Sequence, residues 1–249
     1  MIQIGEIQQI QWVGLCAAGF FIGMSKAGVK GTGLIMIPIM AELFGGKLSS
    51  GILLPMLSMG DICAVWYYNR HADWRYIWKL LPAAMVGVLF GIWIGDRIPD
   101  EAFKSLMGIF ILGGLLYMAW REFGKKAAAI PAKWIPSTIF GMMGGITTMI
   151  GNAAGPIMNT YLLATNLPKN SFIGTGAWFF LVLNLFKIPF HVFIWKTISL
   201  QSFQVNAWMF PLIVVGMVIG VKIVRFIPEK EFRYFVMIAT ALVSLRLFV

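Results

Sequence analysis

Six apolar runs of near-equal length dominate this chain: residues 50–68, 77–94, 103–120, 172–195, 208–224 and 232–248. A bilayer core of about 30 Å is crossed by roughly 20 helical residues, and each run comes close to that. No soluble domain of 249 residues hides so much apolar surface, with 59% hydrophobic residues, 12% charged and a mean hydropathy of +0.81. The 27 glycines and 11 prolines also suit membrane helices. A formal charge of +10 invites a nucleic-acid reading. However, the Lys and Arg residues lie between the apolar runs, where positive loops facing anionic lipid account for them and nucleic acid is not expected as a partner. Residues 1–11 hold Glu6 and no Lys or Arg, so no cleaved secretory signal is expected.

Two regions break the pattern. Residues 12–24 are apolar, 25–33 (SKAGVKGTG) interrupt them, and 34–44 are apolar again. Residues 135–150 are likewise followed by 151–156 (GNAAGP) and then 157–164. The second arm of each is too short for an ordinary span, so each region is either one broken helix crossing once or a hairpin returning to its starting side. If both return, Arg70, Arg75, Lys79, Arg121, Lys125, Lys126, Lys133, Lys169, Lys222, Arg225, Lys230 and Arg233 share one side, against Lys47, Arg97, Lys104, Lys196 and Arg246. That is twelve against five; single crossings give nine against eight. The positive-inside rule therefore favours hairpins, with periplasmic termini and a cytoplasmic linker. Two short but complete spans in place of each hairpin give the same sides.

The two halves align across that linker. Gly33, Lys47 and Ser49 fall on Gly155, Lys169 and Ser171, 122 residues on. Pro82, Gly87, Gly91, Pro99 and Phe103 fall on Pro211, Gly216, Gly220, Pro228 and Phe232, 129 residues on. The expected fold is an all-α polytopic membrane protein of two inverted repeats, residues 1–120 and 134–249, joined by linker 121–133. Each repeat would carry an interrupted hairpin and three full transmembrane helices, with 8–10 helical membrane segments in all. Inverted repeats with matching interrupted helices are the pattern of secondary transporters, and they place the substrate between the breaks.

The chemistry-bearing residues gather there. The first break offers Lys26, Lys30, Gly31 and Thr32; glycines bring backbone N–H groups close to a ligand, and the next half-helix adds positive dipole potential. The second offers Thr148, Gly151, Asn152 and Gly155. Together they describe a pocket for a small oxyanion; the alternative is two tight turns near one surface with snorkelling lysines. Asp61, the one acid well inside a full span, either carries a coupling proton or neutralises Lys26, Lys30 or Lys187. Asn184, Lys187 and His191 recur at i, i+3 and i+7 as one polar stripe; His191 is either a proton relay or a packed, hydrogen-bonded ring. Gly87/Gly91, Gly91/Gly95, Gly141/Gly145 and Gly216/Gly220 have the spacing of close helix packing, used either in a homodimer or within one bundle. Cys16 and Cys63 lie in apolar runs with no metal or disulfide spacing. No catalytic constellation, cofactor site or metal cluster is expected, and adjacent Ser25 and Lys26 do not make a nucleophile–base pair.

Three stretches carry a family resemblance: GMSKAGVKGTGLIMIP; SSGILLPMLSMGDICAVWYYNRHADWRYIWKLLP with Pro55, Asp61 and Pro82; and GNAAGPIMNTYLLATNLPKNSFIGTGAWFFLVLNLFK with Gly155, Pro156, Lys169, Asn184 and Lys187. Over nearly its whole length the chain resembles the sulfite exporter TauE/SafE family. The resemblance implies a bacterial inner-membrane permease of eight or more spans that exports sulfite, sulfoacetate or other organosulfonates. The second break departs from the family's expected Gly-Gly-Pro-like ending, which alters the pocket lining. The expectation is a carrier that holds its small-molecule anion between the breaks while surrounded by membrane lipid, with Asp61 or His191 linked to protons. The rival is a passive anion channel.

Overall fold

A computed structural model describes residues 4–29, 31–123, 134–165, 167–223 and 229–248; Lys30 and linker residues 124–133 lie outside them. The described residues form ten α-helices and no strand. They are α1 (Gln9–Lys26), α2 (Thr32–Phe44), α3 (Gly46–Tyr68), α4 (Trp74–Arg97), α5 (Asp100–Phe123), α6 (Trp134–Gly151), α7 (Gly155–Ala164), α8 (Lys169–Phe193), α9 (Leu200–Ile223) and α10 (Glu229–Leu245). Four of these, α3, α4, α8 and α9, are long and apolar enough to cross a membrane. Large apolar side chains face outward along them, Trp66 at 82% exposure and Trp93 at 57%. Lipid is the solvent that tolerates such a surface.

Helices α2 and α7 are short, 13 and 10 residues, or about 20 and 15 Å. Each folds back on the helix before it. Gln11 at the start of α1 donates from Nε2 to the carbonyl of Leu43 near the end of α2, 2.8 Å away. Ser137 near the start of α6 shares a 2.7 Å hydrogen bond with the Tyr161 hydroxyl in α7. The first return is made by Gly28 and Gly31, whose φ values of 106° and 93° favour a residue without Cβ. Asn152 makes the second with φ 52°, a conformation that asparagine adopts more readily than most residues.

Apolar residues gain nothing from leaving lipid for a helix interface, so close backbone packing has to hold these helices together. The glycines supply it at two crossings. On α4 and α6, Gly87 lies against the Met142 carbonyl and Gly145 against that of Ala84, while a Cβ on Gly141 would meet the Leu80 carbonyl oxygen at 2.6 Å. On α1 and α9, Gly23 lies against the Ile213 carbonyl and Gly216 against that of Phe20. The glycine pairs on α4, α6 and α9 are thus used inside one chain. Helices α3 and α8 pack together between the two crossings. Beside them, the loop after α3 is anchored where the Asp73 amide donates to Thr175 Oγ1 at 2.9 Å. Asp73 also caps α4, and the Arg75 guanidinium hydrogen-bonded to its side chain holds that carboxyl below its usual range.

A side chain at these crossings has no room. Gly145→Val should force α4 and α6 apart against backbone, at a cost of about 3 kcal/mol or more. Gly113→Val, on α5 with nothing within 4 Å of a Cβ, is the control. Thermal unfolding of the detergent-solubilised protein should show a large loss for the first and little for the second.

Candidate anion site

The site is assembled where the interrupted hairpins meet the central helices. Lys26 ends α1, where its charge suits the negative end of the helix dipole. Its ammonium sits 2.5 Å from Asp61 Oδ1 of α3 and 4.9 Å from the centre of the Phe180 ring. The other Asp61 oxygen accepts from Asn184 Nδ2 of α8 at 2.8 Å. One turn along α8, Lys187 is fully buried and donates to three oxygens: Asn152 Oδ1 at 2.6 Å, Thr148 Oγ1 at 3.2 Å and Asn184 Oδ1 at 3.4 Å. Asn152 Nδ2 then reaches the Ser50 carbonyl on α3, 3.1 Å away. A continuous polar chain therefore runs Lys26–Asp61–Asn184–Lys187–Asn152, from the first break to the second.

Beside this chain lies a cavity of about 430 Å³. The first hairpin lines it with Ser25, Lys26, Gly28, Gly31 and Gly33, and the second with Thr148, Asn152, Gly155, Pro156 and Asn159. Asp61 and Asn184 face it from the central helices. The remaining wall is apolar, including Ile22, Leu53, Leu57, Leu115, Phe172, Phe180 and Met237. With two lysines and one aspartate, this polar cluster has one more basic group than acidic among the described residues. Water does not reach Lys187 to screen it, so an anion in the cavity is the favourable complement.

The structure thus gathers Lys26, Gly31, Asp61, Thr148, Asn152, Gly155 and Asn184 around one cavity. Lys187 stands behind the wall and acts through the three oxygens it holds. Thr32 turns away; its hydroxyl donates to Val29 and Phe21 carbonyls and braces the first break. Gly151 faces Met107 instead of the cavity. His191 is outside it, buried with Nδ1 2.8 Å from Thr197 Oγ1 and its ring edge-on to Trp195. Sequence reasoning missed Asn159, Leu57 and Phe180. Leu57 and Phe180 each lie four residues before a polar residue already singled out, so extending one helix face by a turn finds both.

The family model described as "Sulfite exporter TauE/SafE" matches residues 15–247. The chain belongs to the sulfite exporter TauE/SafE family. It is therefore a membrane transporter of a family named for sulfur anions, and not a member of an enzyme class. A TauE/SafE chain of this kind is also similar to the probable inner membrane transporter protein TsaS of Comamonas testosteroni. The two are 25% identical over 168 residues, covering 66% of this chain and 67% of the relative. No solved structure matches.

The buried ion pair yields a double-mutant test. Lys26→Met leaves Asp61, with 0% side-chain exposure, without its cation. Breaking a buried pair in this way costs about 3–5 kcal/mol, whereas replacing both partners by apolar groups is often close to neutral. Lys26→Met should lower the melting temperature in detergent sharply, and Lys26→Met/Asp61→Leu should recover most of the loss.

Proposed function

We propose that the protein is a secondary transporter that exports a small sulfur-containing anion across the bacterial inner membrane by alternating access. The anion is held between the two interrupted helices. The observation that carries this reading is the cavity bounded by both breaks, lined by Lys26 and backed by a second buried lysine, Lys187, whose hydrogen-bond acceptors are all neutral oxygens. Its size and apolar wall favour an organosulfonate such as sulfoacetate over sulfite. The sulfonate oxygens take Lys26, Thr148, Asn152, Asn184 and the glycine backbone, and the organic part lies on Leu53, Leu57 and Phe180. Of the two candidates for proton coupling, Asp61 faces this space and His191 does not.

Two inverted repeats account for the packing. Helix α1 packs on α9 as α6 packs on α4, and α2 on α10 as α7 on α5, while α3 meets α8. The glycines of the α1–α9 crossing, Gly19, Gly23, Gly216 and Gly220, stand at the repeat offsets from Gly141, Gly145, Gly87 and Gly91 of the α6–α4 crossing. With an odd number of net crossings per half, the halves are upside down relative to each other. Loop charge then sets periplasmic termini. In that orientation the cavity reaches Leu167 and Phe172, at the cytoplasmic ends of α7 and α8. Towards the periplasm, Gly51 lies hard against Thr197, and the Trp195 ring covers Gly95 and Phe103. A cavity that extends toward the cytoplasmic ends of α7 and α8, with close packing on its periplasmic side, suits a carrier loading for export. It does not suit an open channel.

Flux from proteoliposomes loaded with sulfite, sulfoacetate, taurine or sulfate tests the reading. Saturable efflux of a sulfur anion is expected, hastened by an inside-negative potential worth about 2.3 kcal/mol per charge per 100 mV. Lys187→Ala removes charge-assisted hydrogen bonds of about 1.5–3 kcal/mol each, so flux at low substrate should fall about tenfold or more. Leu57→Trp, which fills the apolar wall, should reduce organosulfonate flux as well. Currents that do not saturate would indicate the channel, and no flux of any anion would sink the transport reading.

A further inference from the structure

The place where a substrate anion would meet Lys26 already holds an anion belonging to the chain. Among the described residues Lys26 is the ammonium that lines the cavity, and Asp61 occupies it at 2.5 Å. Lys187 is not comparable: all three of its donors are taken by protein oxygens, and it does not face the cavity. Among the described residues, positive charge at the cavity wall is therefore set by Lys26 and by whichever anion is paired with it.

The Asp61 carboxylate is held so that it can let go. Its second oxygen keeps the Asn184 amide at 2.8 Å, so release of Lys26 does not leave the group without a donor. The two partners also stand on different helices: Asp61 is in the central helix α3, and Lys26 is in the last turn of α1. Immediately beyond Lys26, Gly28 and Gly31 break the chain in left-handed conformations. Swinging the Lys26 side chain changes the Lys26–Asp61 distance without disturbing the Asp61–Asn184 contact.

Resting on the transport reading above, we infer that Asp61 is a tethered stand-in for the anionic group of the substrate. When the cavity is empty, Asp61 neutralises Lys26, and the empty carrier reorients without an unpaired ammonium facing the cavity. When the anion binds, it takes Lys26 and Asp61 falls back on Asn184. A carrier with such a stand-in performs net export. One without it moves only when loaded and is confined to exchange.

The two modes separate in proteoliposomes of the full chain, with labelled sulfoacetate as the probe and the potential clamped at zero. Net efflux is measured into anion-free medium, and exchange is measured against unlabelled sulfoacetate outside. In the wild type, net efflux should run within about tenfold of exchange. In Asp61→Asn the ratio of net efflux to exchange should drop at least about tenfold, because an unpaired buried cation costs several kcal/mol to carry across. Asp61→Glu should restore the ratio. Wild-type exchange without net efflux would overturn the inference, a result that needs no variant to fold. An unchanged ratio in Asp61→Asn would also overturn it, since a merely structural Asp61 lowers both modes together. Silence in both modes removes the transport reading itself.

Discussion

A buried ammonium group needs oxygen around it, and this requirement at Lys187 organises the centre of the molecule. Its acceptors come from three places: Thr148 near the end of α6, Asn152 in the turn beyond it, and Asn184 one turn back on α8. Asn184 faces Lys187 with its carbonyl and Asp61 with its amide, so the polarity set at Lys187 passes to the ion pair with Lys26. If α6 ran one residue further before breaking, Asn152 would leave the ammonium and Lys187 would be an uncompensated buried charge. Irregular backbone at membrane depth is tolerable only when its polar groups are used in this way. The breaks and the charges are thus one feature.

Much of this was legible in the sequence because membrane burial magnifies the relevant signals. The apolar runs at 50–68 and 77–94 lie within two of the four long apolar helices, and those at 172–195 and 208–224 overlap the other two, which end at Phe193 and Ile223. The breaks showed as polar and glycine-rich interruptions too expensive to be accidental. Lys26, Asn152 and Asn184 stood out because any polar residue there needs a reason. Side-chain direction was less legible. Thr32 and Gly151 belong to the breaks by position, yet one braces the turn and the other packs on Met107. In a tight turn adjacent residues point to different sides, and spacing alone does not say which side holds the cavity. The apolar wall was silent for the opposite reason: Leu57 and Phe180 look like any other apolar residue of a membrane helix until a polar neighbour on the same face marks them.

The glycine crossings show how a chain without a hydrophobic drive between its helices is still given a definite architecture. Contact between backbone carbonyls and glycine Cα atoms, at Gly87 and Gly145 on one side and at Gly23 and Gly216 on the other, fixes both crossings closely. The long arms of the hairpins, α1 and α6, are clamped by α9 and α4. Under the proposed alternating access, either the clamped pairs move as units, or the turns and short arms shift against α3 and α8. The second lies closer to the ion pair and requires no glycine crossing to open.

Under the proposed inverted repeat, the scaffold is nearly symmetric and the chemistry is not. Lys26 corresponds to Thr148, 122 residues on, and Asp61 lies within one position of the counterpart of Asn184. One half therefore contributes an ionic pair and the other a neutral pair, with Lys187 added behind it. A symmetric scaffold gives two states of similar packing energy, as alternation requires. A symmetric charge set would give two competing anion positions, one at each break. Among the described residues, placing the accessible cation at the first break and walling Lys187 behind the second leaves one position where an anion finds both a positive partner and a set of hydrogen-bond donors. The asymmetry of charge makes a single substrate site out of a duplicated fold.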